Sequence, residues 1–411
     1  MKMLFLGGVF SQEQEPEIIE KSKGGVQYAA NQFQWTLIDG LLKIPKLDIK
    51  ILSAPFIGSF PKEYNSLFIN GYHHVYKEKI TGDYVPFVNL WGYRNISRKR
   101  NLIKQLTQFI SDKANQKVIL VYSPHSPFLQ AAVYAKQKDP SVHICLMVPD
   151  LPQYMNLREK KSLVYTQTKK LDIKIFESNL EHVDSFILIT KYMKVPLRVK
   201  EKPCIVVEGA VNIQNNNIEL LSNIKSSNSE ERVFAYTGTL NKKFGILNLL
   251  EAFHQLEQSS VVLKICGRGD AAEIVSEYAK KDKRIKFLGQ VTNEEAKSIQ
   301  KSATVLINPR PNNEEFTKYS FPFKTMEYLL SGVPLIAYKL DGIPDEYDEY
   351  IYYVQNDSIE ALKAKMNEVI NLSDEQRLEW GQSAREFILH NKNAEKIAGD
   401  IYNMLDNITK K

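Results

Sequence analysis

Tyr319-Ser320-Phe321-Pro322-Phe323-Lys324-Thr325-Met326-Glu327-Tyr328-Leu329-Leu330-Ser331-Gly332-Val333-Pro334-Leu335-Ile336-Ala337 is the stretch on which the reading of this chain turns. Polar and aromatic residues lead into a short amphipathic helix, a glycine stops it, and an apolar strand follows at once. A parallel α/β sheet delivers a helix N-terminus to a ligand in this way. Pro322 suits the first turn, where its missing N–H is no loss, and the N–H groups after it are expected to point out of the helix end. Lys324 and Glu327 are one turn apart, so an ammonium and a carboxylate share a face. That pair suits a nucleotide sugar: a carboxylate accepts both hydroxyls of a ribose diol, and a cation with backbone donors holds a diphosphate. An ordinary solvated helix pair is the alternative.

Outward from this stretch, short β-rich runs alternate with helical patterns to both ends of the chain, which predicts parallel sheets with crossover helices. In the first half strands are expected at Lys2–Leu6, Asp48–Ser53, Lys117–Tyr122, Val142–Met147, Ser185–Ile189 and Ile205–Val207. In the second they are expected at Arg232–Tyr236, Val261–Cys266, Ile285–Leu288, Ala303–Ile307, Leu335–Ala337 and Ile351–Val354. The Asn- and Ser-rich segment from Asn212 to Glu231 reads as a linker between two domains, and the tail from Ser373 is helical in pattern.

The 411 residues, 43% hydrophobic and 25% charged, suffice for two domains. A net charge of +6 over 54 basic and 48 acidic residues is too slight to indicate nucleic acid, though compatible with an anionic membrane surface. Cys145, Cys204 and Cys266 each lie in or beside an apolar run and are expected as buried free thiols in a reducing compartment. Met1–Phe10 reads as a first strand rather than a signal peptide, and no segment has the length of a membrane span.

Open α/β sheets bind ligands beyond the carboxyl ends of their strands, so the chemistry is sought in the loops there. Gly24-Gly25 precedes the helix Ala30–Leu42, and paired glycines admit either a ligand or a tight turn. His125 lies between Pro124 and Pro127 at a strand exit, and Asp150 occupies the same place one strand later; both read as site residues. His73 and His74 read as surface loop. Gly238-Thr239 with Lys243, and Gly267-Arg268-Gly269, follow two strands of the second half. Position 272 is Ala, so the dinucleotide fingerprint fails. Arg310 follows the strand before the opening stretch. Lys243, Arg310 and Lys324, with Arg268 a fourth, are three cations placed to meet one diphosphate.

These residues together resemble the retaining glycosyltransferases of family 4, in the bacterial polysaccharide-synthesis branch whose donor motif reads Tyr-Ser-Phe-Pro-x-Lys before the glutamate. The resemblance implies the GT-B fold: two Rossmann-like parallel-sheet domains facing a cleft, here 1–208 for the acceptor and 209–385 for the donor, with a C-terminal helix over 386–411 returning to the first. It implies transfer of a sugar with retention from a nucleotide-diphosphate donor, expected to be UDP, to a glycan or polyprenyl-linked acceptor in surface polysaccharide synthesis. It places Glu327 on the ribose hydroxyls, Lys243 on the diphosphate, Lys324 and Arg310 on phosphate or sugar, and His125 near the transferred sugar. Gln290-Val291 would hold the base, and Tyr319, Ser320, Phe321, Gly238 and Thr239 would line the donor. Two departures stand out. Tyr319 replaces a glutamate and Thr239 an arginine of the family pattern, so Arg268 or Arg310 has to supply the missing cation, and the sequence does not choose.

The chain has no Asp-x-Asp, so metal-independent transfer without a cofactor is expected, the leaving charge being met by cations and a helix N-terminus. A GT-B-type nucleotide-sugar epimerase and a non-catalytic nucleotide-sugar-binding subunit are the alternatives. Arg94 to Ile110 forms a basic amphipathic helix, expected either to meet anionic lipid at the inner face of a membrane from the cytoplasm or to pack on the sheet through Ile96, Leu102, Leu106 and Phe109.

Overall fold

The computed structural model describes residues 1–76, 80–154, 163–213 and 231–410, so most of the expected linker lies outside the described residues. The chain divides into two compact units, Met1–Asn212 with Ala394–Lys411, and Ile213–Asn393.

In the first unit the elements run β1 (Lys2–Gly7), α1 (Glu15–Lys21), α2 (Tyr28–Leu41), β2 (Asp48–Ser53), β3 (Phe68–Ile69), β4 (Tyr72–Tyr76), β5 (Ile80–Tyr84), β6 (Phe87–Val88), α3 (Arg94–Ile110), β7 (Lys117–Tyr122), α4 (Ser126–Lys138), β8 (Val142–Val148), α5 (Leu163–Asn179), β9 (Ser185–Leu188) and β10 (Cys204–Val206). An eight-stranded sheet has the order β10-β9-β8-β7-β1-β2-β5-β4, parallel throughout except where β4 meets β5. β7 and β8 are buried at every position, as parallel strands covered by helices on both faces must be.

The six strands expected here form within one or two residues of their predicted bounds. β3 to β6 were not anticipated. Two of them are two residues long, and β4, Tyr72-His73-His74-Val75-Tyr76, lies on a sheet edge with little burial, so no apolar run announces them. His73 and His74 therefore lie on a strand rather than in a loop, and His73 Nδ1 sits 2.8 Å from Asp83 on β5. The three cysteines are free, but Cys204 is only half-buried because β10 is an edge strand.

In the second unit the order is β11 (Arg232–Thr237), α6 (Ile246–His254), β12 (Val261–Cys266), α7 (Ala272–Lys281), β13 (Ile285–Phe287), α8 (Asn293–Ser302), β14 (Val305–Asn308), α9 (Phe323–Leu330), β15 (Leu335–Tyr338), β16 (Tyr352–Val354), α10 (Ile359–Ile370) and α11 (Asp374–Asn391). Its sheet, β13-β12-β11-β14-β15-β16, is parallel at every pairing.

The helical tail forms two helices. α11 stays with the second unit, and Lys392, buried against the Tyr347 and Phe387 rings with its ammonium 2.6 Å from Glu346, marks where it stops. α12 (Ala394–Thr409) then belongs to the first unit and packs on α2. The Ala394 N–H donates to the Val211 carbonyl at 2.9 Å, and Lys43 pairs with Glu395. The two helices meet closely because α2 carries Gly40, where a Cβ would collide with the Ala394 carbonyl. Gly40→Val is therefore expected to destabilise the first unit by about 1–3 kcal/mol, the usual effect of overpacking a tight contact. Urea unfolding with an unchanged midpoint would show that this contact is slack.

Candidate functional site

The exits of β11, β12 and β13 are laced together by their backbones. Gly238 N–H donates to Cys266 O (2.8 Å), Leu240 N–H to Arg268 O (2.9 Å), and Gly267 N–H to Gly289 O (2.7 Å). Loops this close leave little space for side chains. A Cβ on Gly238, where φ is 143°, would collide with the Lys324 ammonium. Gly245, left-handed at φ 76°, likewise sets the start of α6 against the Pro309 carbonyl of the loop after β14. The same edge of the sheet thus gathers Gly238, Lys324 and the Arg310 loop.

Lys324 is the centre of this group. Its Nζ donates to the Tyr236 hydroxyl (2.9 Å), and that hydroxyl in turn donates to the Thr239 carbonyl (2.7 Å). Tyr236 is the last but one residue of β11, fully buried, and it was not anticipated as part of the site. Its only sequence signal is an aromatic with a polar tip at a strand exit. Tyr328 works in parallel, its hydroxyl accepting from Thr237 N–H (2.9 Å) and donating to Thr237 O (3.1 Å), so that α9 is bonded to the end of β11. Burial pushes the Lys324 ammonium down from its ordinary 10.5 to about 8, opposed by Glu327 and reinforced by the Arg310 charge. Glu327 keeps access to solvent. Even so, its carboxyl is held above the usual range by poor solvation, against the pull of Lys324 and of Lys297 on α8.

Arg310 is buried, its guanidinium 5.3 Å from the Phe244 ring centre and 4.7 Å from that of Phe316, with one nitrogen donating to Ser320 Oγ at 2.9 Å. Burial lowers it to about 10, and its Nε has no hydrogen-bond partner among the described residues. Of the two cations offered in place of an arginine at 239, Arg310 is the one within electrostatic reach of Lys324. Arg268 extends into solvent and contributes its backbone carbonyl to the loop lacing. Lys243 is half-exposed, with its ammonium 3.5 Å from the Glu314 carboxylate.

Phe321 is corrected from a donor-lining residue to a core one: its ring is buried 5.4 Å from that of Tyr347. Tyr319 and Ser320 close the turn before α9, Thr239 and Gln290 are exposed at strand exits, and Val291 is half-buried. The N-terminus of α9 is less open than expected, because Thr325 N–H folds back on the Pro322 carbonyl at 2.8 Å.

In the first unit His125 and Asp150 occupy the exits of the adjacent strands β7 and β8. The Asp150 carboxyl is open to solvent yet pushed up to about 6 by the protein around it. His125 is held well below its ordinary range, first by burial and then by Arg98, Arg94 and Lys169. Gly24 and Gly25 are exposed, and nothing approaches Gly24, so the unit's own packing makes no demand for glycine there.

On α3 the expected packing face is shifted. Leu102, Leu106 and Phe109 are buried, but Ile96 is 46% exposed and Arg98 only 1%. Arg98 therefore does not belong to the solvent face of that helix. No helix among the described residues is long and apolar enough to cross a membrane.

A lysine desolvated in this way has a direct signature. In protein labelled at lysine Cε, the resonance missing from Lys324→Met is expected to titrate with a midpoint of about 8. A midpoint above 10 would mean that the ammonium is well solvated.

Residues 217–387 match the family model described as glycosyl transferases group 1. Solved structures of similar fold include the sucrose-phosphate synthase of Thermosynechococcus elongatus (TM-score 0.62, 16% identity, covering 99% of this chain and 100% of that one). Anabaena HepE in complex with UDP matches with TM-score 0.62 and 13% identity over 99% and 100% of the two chains. The catalytic domain of starch synthase IV from Arabidopsis thaliana, bound to ADP and acarbose, matches with TM-score 0.61 and 10% identity over 100% of both. A comparison with curated proteins found no match.

Proposed function

We propose that this chain, a glycosyltransferase of GT-B fold by its group 1 match and its architecture, moves a sugar with retention from a UDP-sugar to a glycan or lipid-linked acceptor in surface polysaccharide synthesis at the cytoplasmic side of a membrane. The observation that carries the reading is the Lys324–Tyr236–Gly238 constellation with Glu327 on the same helix face. A desolvated ammonium lies against a glycine at the carboxyl end of a parallel strand, with a carboxylate one turn along.

When the bond between the anomeric carbon and the phosphate breaks, the departing diphosphate gains negative charge, and preorganised cations meet that charge without rearranging at the moment of reaction. Lys324 and Arg310 are held in such a state. Arg310 is buried and Lys324 half-buried, both are lowered by desolvation, and neither forms an ion pair among the described residues, so an incoming diphosphate restores the solvation they have lost. Glu327 is placed to accept the two ribose hydroxyls. Gly238 leaves room for the phosphates to approach the backbone. In the first unit, Asp150 with its raised carboxyl and His125 serve the acceptor side.

UDP is expected to raise the melting temperature, whereas ADP and GDP do so less. At a concentration of 100 times Kd a ligand adds about 2.7 kcal/mol by mass action. Glu327→Ala is expected to weaken UDP binding by roughly 10- to 100-fold, the loss of charge-assisted hydrogen bonds, with its unliganded melting temperature nearly unchanged. Calorimetry giving equal affinity for both proteins would remove Glu327 from the site.

A lipid-linked acceptor would be met by the exposed Leu90, Trp91, Tyr93 and Ile96, with Arg100 and Lys104 on the following turns of α3. The double variant Arg100→Glu/Lys104→Glu should then lose co-sedimentation with vesicles containing anionic phospholipid. Equal recovery of variant and parent protein would rule out this surface as a lipid contact.

A further inference from the structure

His125 and Arg98 form a pair whose hydrogen-bond logic has only one solution. Arg98 projects from α3 into the first unit and is among its largest fully buried side chains, 1% exposed. One terminal nitrogen lies 3.2 Å from His125 Nε2, the other donates to the Pro55 carbonyl at 2.7 Å, and the guanidinium carbon is 4.3 Å from the Phe87 ring centre. Arg98 forms no ion pair among the described residues. A guanidinium carries donors only and keeps its charge in proteins. The Nε2 of His125 must therefore be the acceptor, with its lone pair directed at Arg98. In neutral imidazole the proton then resides on Nδ1.

The surroundings hold the ring in that state. His125 precedes α4, and its carbonyl accepts from Phe128 N–H at 3.0 Å. Its ring is edge-on to Phe128 at 4.8 Å and to Phe56 at 5.7 Å. The charges that bear on it are all positive: Arg98 and Arg94 from α3 and Lys169 from α5. Asp172 of α5 is engaged by Ser126 and lies 3.9 Å from Lys169. A second proton on the ring would sit on Nε2 and face an N–H of the buried guanidinium, donor against donor. Nδ1 has no hydrogen-bond partner among the described residues, and it is not one of the unit's solvent-shielded unpartnered atoms.

We infer that Arg98 is a positioning residue that locks His125 as the neutral Nδ1–H tautomer, so that the strand exit of β7 presents a hydrogen-bond donor, never a base, to an uncharged oxygen such as a sugar hydroxyl. The hydroxyl as ligand rests on the glycosyl-transfer reading above; the tautomer does not. His125 takes no proton from an acceptor, and its part in the reaction is orientation.

The experiment is long-range proton–nitrogen correlation of the intact protein labelled in its histidine rings, with His125→Gln to identify the signals. The expected spectrum shows Nδ1 protonated and Nε2 unprotonated at neutral pH, unchanged down to pH 5.5. In Arg98→Met the ring is expected to redistribute toward the Nε2–H form and to titrate at higher pH than in the parent protein, still below the ordinary histidine range because burial, Arg94 and Lys169 remain, whereas Arg98→Lys, which can still donate to Nε2, retains the Nδ1–H pattern. With a nucleotide-sugar donor, Arg98→Met is expected to lower kcat/KM about tenfold, the worth of one hydrogen bond, and to add an acid-side inflection to its pH profile that Arg98→Lys lacks. An Nε2–H or doubly protonated ring in the parent protein at neutral pH overturns the assignment. The parent spectrum alone decides it if Arg98→Met does not fold. A parent protein that shows the Nδ1–H pattern but transfers no sugar would instead overturn the functional reading and leave the tautomer standing.

Discussion

The second unit is organised around one buried ammonium. An amine taken out of water needs polar partners in place of its hydration shell, and Lys324 finds them in the Tyr236 hydroxyl and ring. That arrangement constrains its neighbours. Tyr236 must end a central strand, its hydroxyl must reach back to Thr239, and residue 238 must lack a side chain. The whole exit of β11 is thus shaped to a charge that arrives from another element, the first turn of α9. Tyr328, one turn further along the same helix, bonds both the N–H and the carbonyl of Thr237, so α9 cannot slide relative to β11 without breaking hydrogen bonds at two depths. A site built this way is rigid because its supports are backbone groups of a parallel sheet.

Two cations held without a carboxylate partner have a further consequence. Burial raises the electrostatic cost of each charge, and nothing in their immediate contacts offsets it fully. The unliganded protein carries that cost, and an anion entering the site relieves it. Arg310 is stacked between the rings of Phe244 and Phe316 and bonded to Ser320, which orients its fork while leaving its Nε without a partner. Glu327, nearer to solvent, tempers the positive field and offers an acceptor of its own.

The first unit solves a similar problem with different chemistry. Arg98 is buried more completely than Lys324, and its partners are an imidazole lone pair, a carbonyl oxygen and an aromatic face. All three are acceptors with little or no formal charge. The two terminal nitrogens of the arginine are therefore engaged without its charge being neutralised, its Nε has no hydrogen-bond partner among the described residues, and its fixed donors impose a protonation state on the histidine beside it. In both units a residue at a strand exit is governed by a basic side chain from a helix packed against that exit.

The parallel sheets were legible in the sequence because strands covered on both faces read as continuous apolar runs, as β7, β8 and β12 do, and because each run is followed by polar or glycine residues and a helical period. The helix and strand of the stretch from Tyr319 to Ala337, and the sharing of one helix face by Lys324 and Glu327, followed from the same local pattern. Strands β3 to β6 left no such trace, being short or poorly buried. The bond from Lys324 to Tyr236, the burial of Phe321, the placing of Arg310 rather than Arg268 beside Lys324 and the burial of Arg98 rather than Ile96 were decided by tertiary structure alone. Each depends on which side chain meets which neighbour across a sequence separation of tens of residues, and periodicity along a single helix or strand holds no information about what packs against it.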